Sequence, residues 1–244
     1  MEAIYDIPER LFIRPTPWCA GCSHGTIVKI CCEVIQEMGL EDTLTWGGGA
    51  GCSGFACSST GFDAYNSPHG RGPTTATAFK SVNPDTPMVI YQGDGDAISI
   101  GLGDTLHTAN RGPAITVICA NNSIYGMTGG QASATTPVGA ITKTTSRGNT
   151  TPPIRVAELV AEFERPAFVA RCSVDTPKHA IEFKKAFRKA LEYQINEGAY
   201  SFIEVLGVCV TGSRIDPMRI KEHMEENIYP IFSLGTFKDN YKRL

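Results

Sequence analysis

The chain has 244 residues, 42% hydrophobic and 19% charged, with a formal net charge of -3. It is long enough to bury a sizeable core as one large domain or two small ones, and its slight acidity argues against a nucleic-acid or other polyanion partner. No apolar run reaches the roughly 18 residues needed to span a membrane, and Met1-Glu2-Ala3-Ile4-Tyr5-Asp6 lacks a signal-peptide layout, so the expected location is cytoplasmic.

Nine cysteines are many, and the number is odd. In a reducing compartment they read as metal ligands plus small core thiols rather than disulfides. In chain order, Cys19-Ala20-Gly21-Cys22 comes first. Taken alone, this Cys-x-x-Cys fits a zinc pair, a redox dithiol or a turn. Thr26–Met38 follows, with Ile27, Ile30, Cys31, Val34, Ile35 and Met38 at helical spacing and Gly39 at the end. Thr43–Trp46 is a short strand entering the glycine-rich stretch Gly47–Gly54. Thr74–Val82 reads as a helix closed by Asn83-Pro84.

Met88–Tyr91 is a buried strand leading into Gly93-Asp94-Gly95-Asp96. A helix over Ile98–Asn110 and a second buried strand, Ile115–Cys119, complete a β-α-β unit that ends at Asn121-Asn122. Carboxylate and amide oxygens on neighbouring strand ends, beside glycines that let backbone approach, suit Mg²⁺ carrying a diphosphate. Residues 123–153 are rich in Gly, Thr and Ser, and a loop this long beside the Asn pair is expected to be functional. Ala167–Cys172 and Ser201–Leu206 are strands, and Lys178–Asn196 is an amphipathic helix. The order predicts an α/β fold, a doubly wound, mostly parallel sheet with helices on both faces. We read 1–244 as a single domain. Its Cys-x-x-Cys segment lies at about 15–25, its long loop at about 123–153 and a partner-docking tail at about 216–244.

The strings Tyr91-Gln92-Gly93-Asp94-Gly95-Asp96 and Asn121-Asn122-Ser123-Ile124-Tyr125-Gly126-Met127-Thr128-Gly129-Gly130-Gln131 resemble the beta subunit of the 2-oxoacid:ferredoxin oxidoreductases, the subunit that binds thiamine diphosphate (TPP). The resemblance runs from about Trp18 to Thr211. It implies Asp94, Asn122 and the backbone carbonyl of Ile124 as Mg²⁺ ligands, with Gly95 and Asp96 against the diphosphate. Ala50, Gly51, Cys52 and Ser53 would meet the thiazolium end, and Gly126 and Met127 the far side of the diphosphate. His69, in His69-Gly70-Arg71, would be a catalytic contact to the cofactor. Asp96 could equally be a helix cap.

The same resemblance implies a 4Fe-4S cluster on Cys19, Cys22, Cys52 and Cys209. Cys57 is then a less favoured substitute ligand, and His24 a candidate donor to cluster sulfur. Cys31, Cys32, Cys119 and Cys172 read as core thiols. The implied reaction is CoA-dependent oxidative decarboxylation of a 2-oxoacid to acyl-CoA and CO₂, with electrons passing to ferredoxin. The carboxylate that activates the cofactor belongs to the alpha subunit in this family. The expected partners are therefore alpha and gamma (or fused) subunits, with or without a ferredoxin-like subunit. Gly54-Phe55-Ala56 and Gly129-Gly130-Gln131 lack basic residues found in several relatives. No cation on this chain is thus expected to meet a distal carboxylate, which favours a branched-chain substrate such as 2-oxoisovalerate over 2-oxoglutarate, pyruvate or an aryl pyruvate. A non-oxidative TPP decarboxylase subunit and a non-catalytic metal-binding module are the rivals.

Overall fold

The central parallel strands form where the sequence alternates short β-branched, fully apolar runs with glycine-bounded turns. The computed structural model describes residues 7–11 and 16–239. The readings of Met1–Asp6, of residue 15 in the cysteine segment and of 240–244 in the tail lie outside those residues. Helix α1 spans Ser23–Glu37, followed by β1 (Thr45–Gly48), the short α2 (Phe55–Ser59), β2 (Asp63–Asn66), α3 (Gly72–Val82) and β3 (Met88–Gly93). A π-helical segment, Gly95–Ile100, leads into α4 (Leu102–Arg111), then β4 (Thr116–Asn121) and a small hairpin of β5 (Ile124–Tyr125) and β6 (Gln131–Ala132). Next come α5 (Val156–Ala161), β7 (Pro166–Ser173), α6 (Pro177–Glu197) and β8 (Tyr200–Leu206). Short helical turns α7 (Val210–Ser213) and α8 (Ile220–His223) precede β9 (Gly235–Asp239).

Seven strands make one sheet in the order β2-β1-β3-β4-β8-β7-β9. All pairings are parallel except β7 with β9. One core cluster packs α1 and α6 against one face, through Ile27, Val34, Phe183 and Leu191. A second covers the other face with α3, α4 and α5, through Ala76, Ala109 and Val160. Burying each such large apolar side chain contributes about 1.5–3 kcal/mol.

Helix α1 starts three residues earlier than periodicity alone implies, at Ser23, because it continues directly from the Cys19–Cys22 turn. The predicted Ile98–Asn110 helix is split by Gly101 into the π-helical segment and α4. Strand β2 and helix α5 have no counterpart in the sequence reading, being too short to show periodicity. The C-terminal tail, read as a docking segment, also contributes to the chain's own core. Its described part packs on this chain, with Met224, Ile228 and Phe232 buried against Leu206 and Val208 and with β9 added to the sheet edge. Met224, Ile228 and Phe232 thus serve an intramolecular core.

That tail also closes a buried charge network. Arg171, on β7, donates through Nε to Glu204 at 2.8 Å and through Nη1 to Glu158 at 3.0 Å and the Ser233 carbonyl at 3.1 Å. The rings of Phe232 and Phe237 cover its guanidinium at 5.4 and 4.9 Å. Burial pushes the pKa of Glu204 up despite Arg171 beside it. Removing the guanidinium leaves a buried carboxylate unpaired. Arg171→Met is expected to destabilise the protein by about 3–5 kcal/mol, read as a lower urea midpoint; an unchanged midpoint would show that the network is not held by charge.

Candidate functional site

Parallel pairing places the carboxyl ends of β1, β3, β4 and β8 side by side, with Gly48 opposite Tyr91, Gly93 opposite Ala120 and Asn121 opposite Leu206. The loops that leave these ends therefore converge, as expected of ligand sites in α/β sheets. They surround a cavity of about 280 Å³ lined by Ala50, Gly51, Cys52, Ser53, His69, Gly93–Asp96, Asn122, Ile124, Gly126 and Met127, with His24, Tyr125 and Thr128. Larger grooves of about 710 and 650 Å³ run past Cys19–Cys22 and behind Asn122–Ile124. The smaller cavity is the one onto which the strand-end loops of β1, β3 and β4 open, and we place the chemistry there.

Three oxygens meet at its floor. The Asn122 amide oxygen stands 3.2 Å from Asp94 Oδ1 and 2.8 Å from the Ile124 carbonyl oxygen. Its only donor is the Ile124 N–H, at a long 3.3 Å. Turning the amide over would replace both oxygen–oxygen contacts by hydrogen bonds. A divalent cation would satisfy the same oxygens without turning it, because neighbouring ligands of octahedral Mg²⁺ stand ~3 Å apart. Asp94 is only 1% exposed, and burial raises its pKa, opposed by donors from Ser133 and Thr135. A carboxylate so enclosed is stabilised by a cation, so the donor set fits Mg²⁺.

Asp96 behaves differently from its neighbour. It caps no helix; its carboxylate accepts from the Gly70 N–H at 2.6 Å and Gln92 Nε2 at 2.8 Å. His69 Nδ1 lies against the same carboxylate as an ion-pair contact without hydrogen-bond alignment. Asp96 thus fixes the His69-Gly70 turn at the cavity wall, and its carboxylate is engaged there. Gly49 must be glycine, because a Cβ there would come 1.7 Å from Asp96 Oδ2. Ser53 Oγ is buried without a partner, and Gly51, at φ +95°, faces open space. An orphaned hydroxyl and an open cradle on one wall suit a polar ligand such as TPP.

The cysteines divide clearly. Burial pushes the Cys22 thiol up to about 12, and Cys209, Cys52 and Cys19 nearby add to it. Cys52 and Cys209 are raised for the same first reason, with Cys19 adding to both. These four thiols are thus within electrostatic reach of one another, although no metal-binding group of three or more His, Cys or acidic side chains is formed among the described residues. Cys57 is apart from them, its thiol bonded to the Tyr65 carbonyl at 3.3 Å and packed on Gly48. The His24 ring contacts Tyr91 OH at 2.5 Å, and burial pushes its pKa down to about 4. It is the His24 main-chain N–H that donates to Cys22.

Sequence reasoning missed three loop residues. Ser133 Oγ and Thr135 Oγ1 donate to Asp94 Oδ2 at 2.5 and 2.6 Å; a Ser-x-Thr in a Gly/Thr-rich loop carries no signal of its distant partner. Lys143 is a cation that the reading of Gly129-Gly130-Gln131 did not bring into view, its Nζ lying 2.5 Å from where a Gly129 Cβ would be. The floor geometry predicts the effect of Asp94→Asn. Its amide can donate to the Asn122 oxygen, so the cofactor-free variant should be as stable as wild type or gain about 1 kcal/mol, while divalent-cation binding is lost. Thermal melts and a Mn²⁺ titration check this; a large fall in melting temperature would contradict it.

Residues 49–205 match the family described as thiamine pyrophosphate enzyme, C-terminal TPP binding domain. The chain is 35% identical over 227 residues to the 2-oxoglutarate synthase subunit KorB of Archaeoglobus fulgidus, covering 93% of this chain and 82% of that one. It is also 35% identical over 245 residues to the ketoisovalerate oxidoreductase subunit VorA of Methanothermobacter thermautotrophicus, covering 98% of this chain but 51% of that one. The chain therefore spans about half the length of the VorA relatives it matches. Its fold is similar to a 2-oxoglutarate:ferredoxin oxidoreductase from Magnetococcus marinus, with a TM-score of 0.79 at 22% identity, over 99% of this chain and 88% of that one. With the strand-end loops placed as described, these likenesses show that the chain belongs to the TPP-binding beta subunits of the 2-oxoacid:ferredoxin oxidoreductases.

Proposed function

We propose that this chain holds TPP, Mg²⁺ and a 4Fe-4S cluster in a CoA-dependent 2-oxoacid:ferredoxin oxidoreductase, and that the complex decarboxylates a 2-oxoacid oxidatively. The observation that carries this reading is the convergence of Asp94, Asn122 and Ile124 oxygens at the floor of a cavity whose wall includes Cys52. TPP, when bound, supplies the electron sink for loss of CO₂ from a 2-oxoacid. Asp94, Asn122 and the Ile124 carbonyl would hold its Mg²⁺, and Gly95, with Gly126 and Met127, would flank the diphosphate. Ser53 offers a free hydroxyl at the wall. His69, oriented by Asp96, is placed to hold or move a proton at its ring edge. Cys19, Cys22, Cys52 and Cys209 would carry the cluster, their thiols stabilised as thiolates by the metal and by main-chain donors such as Gly212 N–H, 3.3 Å from Cys209 Sγ.

Among the described residues, the carboxylates that line the cavity are Asp94 and Asp96, and both are engaged as described. The residue that activates the cofactor would then come from an alpha subunit, and gamma or fused subunits and ferredoxin would complete the assembly in the cytoplasm. The exposed Met127, Ile100 and Phe55 near the cavity support an interface there. For substrate, a half-exposed Phe55 beside Ser53 favours an apolar acyl group such as that of 2-oxoisovalerate. Lys143 supports a second reading, a dicarboxylate such as 2-oxoglutarate, whose distal charge it could meet.

The assembled complex, purified without oxygen, tests the whole reading. Iron and acid-labile sulfide are expected at about four each per chain, with dye reduction dependent on CoA and a 2-oxoacid. A non-oxidative decarboxylase would lack the iron, and a non-catalytic module would lack TPP. Cys209→Ser should lose or degrade the cluster; a full EPR signal in the reduced variant would refute that ligand. Lys143→Ala should raise KM for 2-oxoglutarate about ten- to a hundredfold (a lost charge-assisted contact of roughly 1.5–3 kcal/mol), leaving KM for 2-oxoisovalerate unchanged. An unchanged KM for 2-oxoglutarate would remove Lys143 from substrate recognition.

A further inference from the structure

We propose that Ser133 and Thr135 are positioning residues for the Asp94 carboxylate, and that docking of their loop is coupled to loading of the cation site. The inference rests on the reading of Asp94, Asn122 and Ile124 as cation ligands. Both hydroxyls donate to one oxygen, Asp94 Oδ2, at 2.5 and 2.6 Å. That leaves Oδ1 as the oxygen facing the Asn122 amide oxygen, which in turn stands 2.8 Å from the Ile124 carbonyl. With Oδ2 saturated, the carboxylate is presented to a cation through Oδ1 alone, as compact octahedral Mg²⁺ prefers.

The loop is held as a clip across both ligand-bearing strand ends. Thr136 Oγ1 donates to the Ser123 carbonyl at 2.7 Å, one residue after Asn122. The Ala134 N–H donates to Ser99 Oγ at 2.9 Å, on the segment that follows Asp94. Ile154 N–H donates to the Ala134 carbonyl at 2.8 Å and anchors the far end. Thr135 is fully buried, so its hydroxyl has no water to fall back on if the carboxylate moves. Ser133 and Thr135 thus touch the Asp94 side of the floor directly, and Ala134 and Thr136 tie the loop to the segments that follow Asp94 and Asn122. Any ligand that orders the floor also orders the loop, and the reverse follows by linkage.

The test uses the full protein in its native assembly, with Mg²⁺-dependent TPP binding by calorimetry and hydrogen exchange over residues 131–136. Thr135→Val keeps the shape and removes the donor, and Thr135→Ser restores it. Thr135→Val and Ser133→Ala should each weaken Mg²⁺ by about tenfold, the usual size for a group that orients a metal ligand, while Thr135→Ser stays near wild type. Exchange at 133–136 should slow on loading in wild type and less so in Thr135→Val. If wild type binds and both donor-less variants bind equally well, or exchange ignores loading, the positioning role is refuted. If wild type and Asp94→Ala fail alike to bind Mg²⁺ and TPP, the reading of the site itself falls, and the inference with it.

Discussion

A carboxylate sits out of water at the end of a central parallel strand, and most of the site is arranged around it. Asp94 is shielded from water, and its charge is met in part by the Ser133 and Thr135 hydroxyls; a cation would offset the rest. Two hydroxyls bind one of its oxygens, and the other faces an amide oxygen and a carbonyl. This leaves the cofactor-free floor electrostatically incomplete. Such incompleteness favours a cation over an empty pocket, and it is a form of stored preorganisation.

The strand that ends at Asn121-Asn122 is stiffened from behind. Asn121 Nδ2 donates to Glu204 Oε1 at 2.6 Å, and Glu204 is paired to Arg171. The Asn121 side-chain oxygen accepts the Ser123 N–H at 3.0 Å. Ser123 stands at φ +61°, in the left-handed region that a non-glycine residue adopts only when its surroundings hold it there. The buried ion pair, which contributes little net stability by itself, thereby fixes the turn that presents Asn122 and Ile124. The C-terminal segment takes part through Phe232, Phe237 and the Ser233 carbonyl, so the last strand of the sheet supports the first turn of the site.

The parallel sheet and the local geometry of the Gly93–Asp96 and Asn121–Asn122 loops were legible because each lies within one apolar run and its turn. Asp94 and Asn122 announce themselves by residue type at a strand end. What stayed hidden depends on tertiary return. Thr135 meets Asp94 across 41 positions, and Glu204 meets Asn121 across 83. No local pattern encodes either pair. Met224, Ile228 and Phe232 recur every four residues, but the helical turns that carry them are too short to show an amphipathic helix, so the core they form with Leu206 and Val208 was not read. Lys143 comes back onto Gly129 from further along the long loop, another contact that no local pattern encodes.

The proposed cluster ligands and the cavity share one wall, and the two glycine-rich loops explain how. A Cβ at Gly126 would come 2.7 Å from Cys209 Sγ, so the residue that lines the cavity on one side is in contact with the thiol on the other. Cys52 lines the same cavity, and Trp18 Nε1 ties its carbonyl at 2.8 Å to the segment just before Cys19. Any larger residue at 126 would meet that sulfur and displace either the Gly126 loop or Cys209. The absence of a side chain at Gly126 therefore has a packing reason beyond the turn it makes: it lets the cavity lining and the Cys209 thiol lie in direct contact.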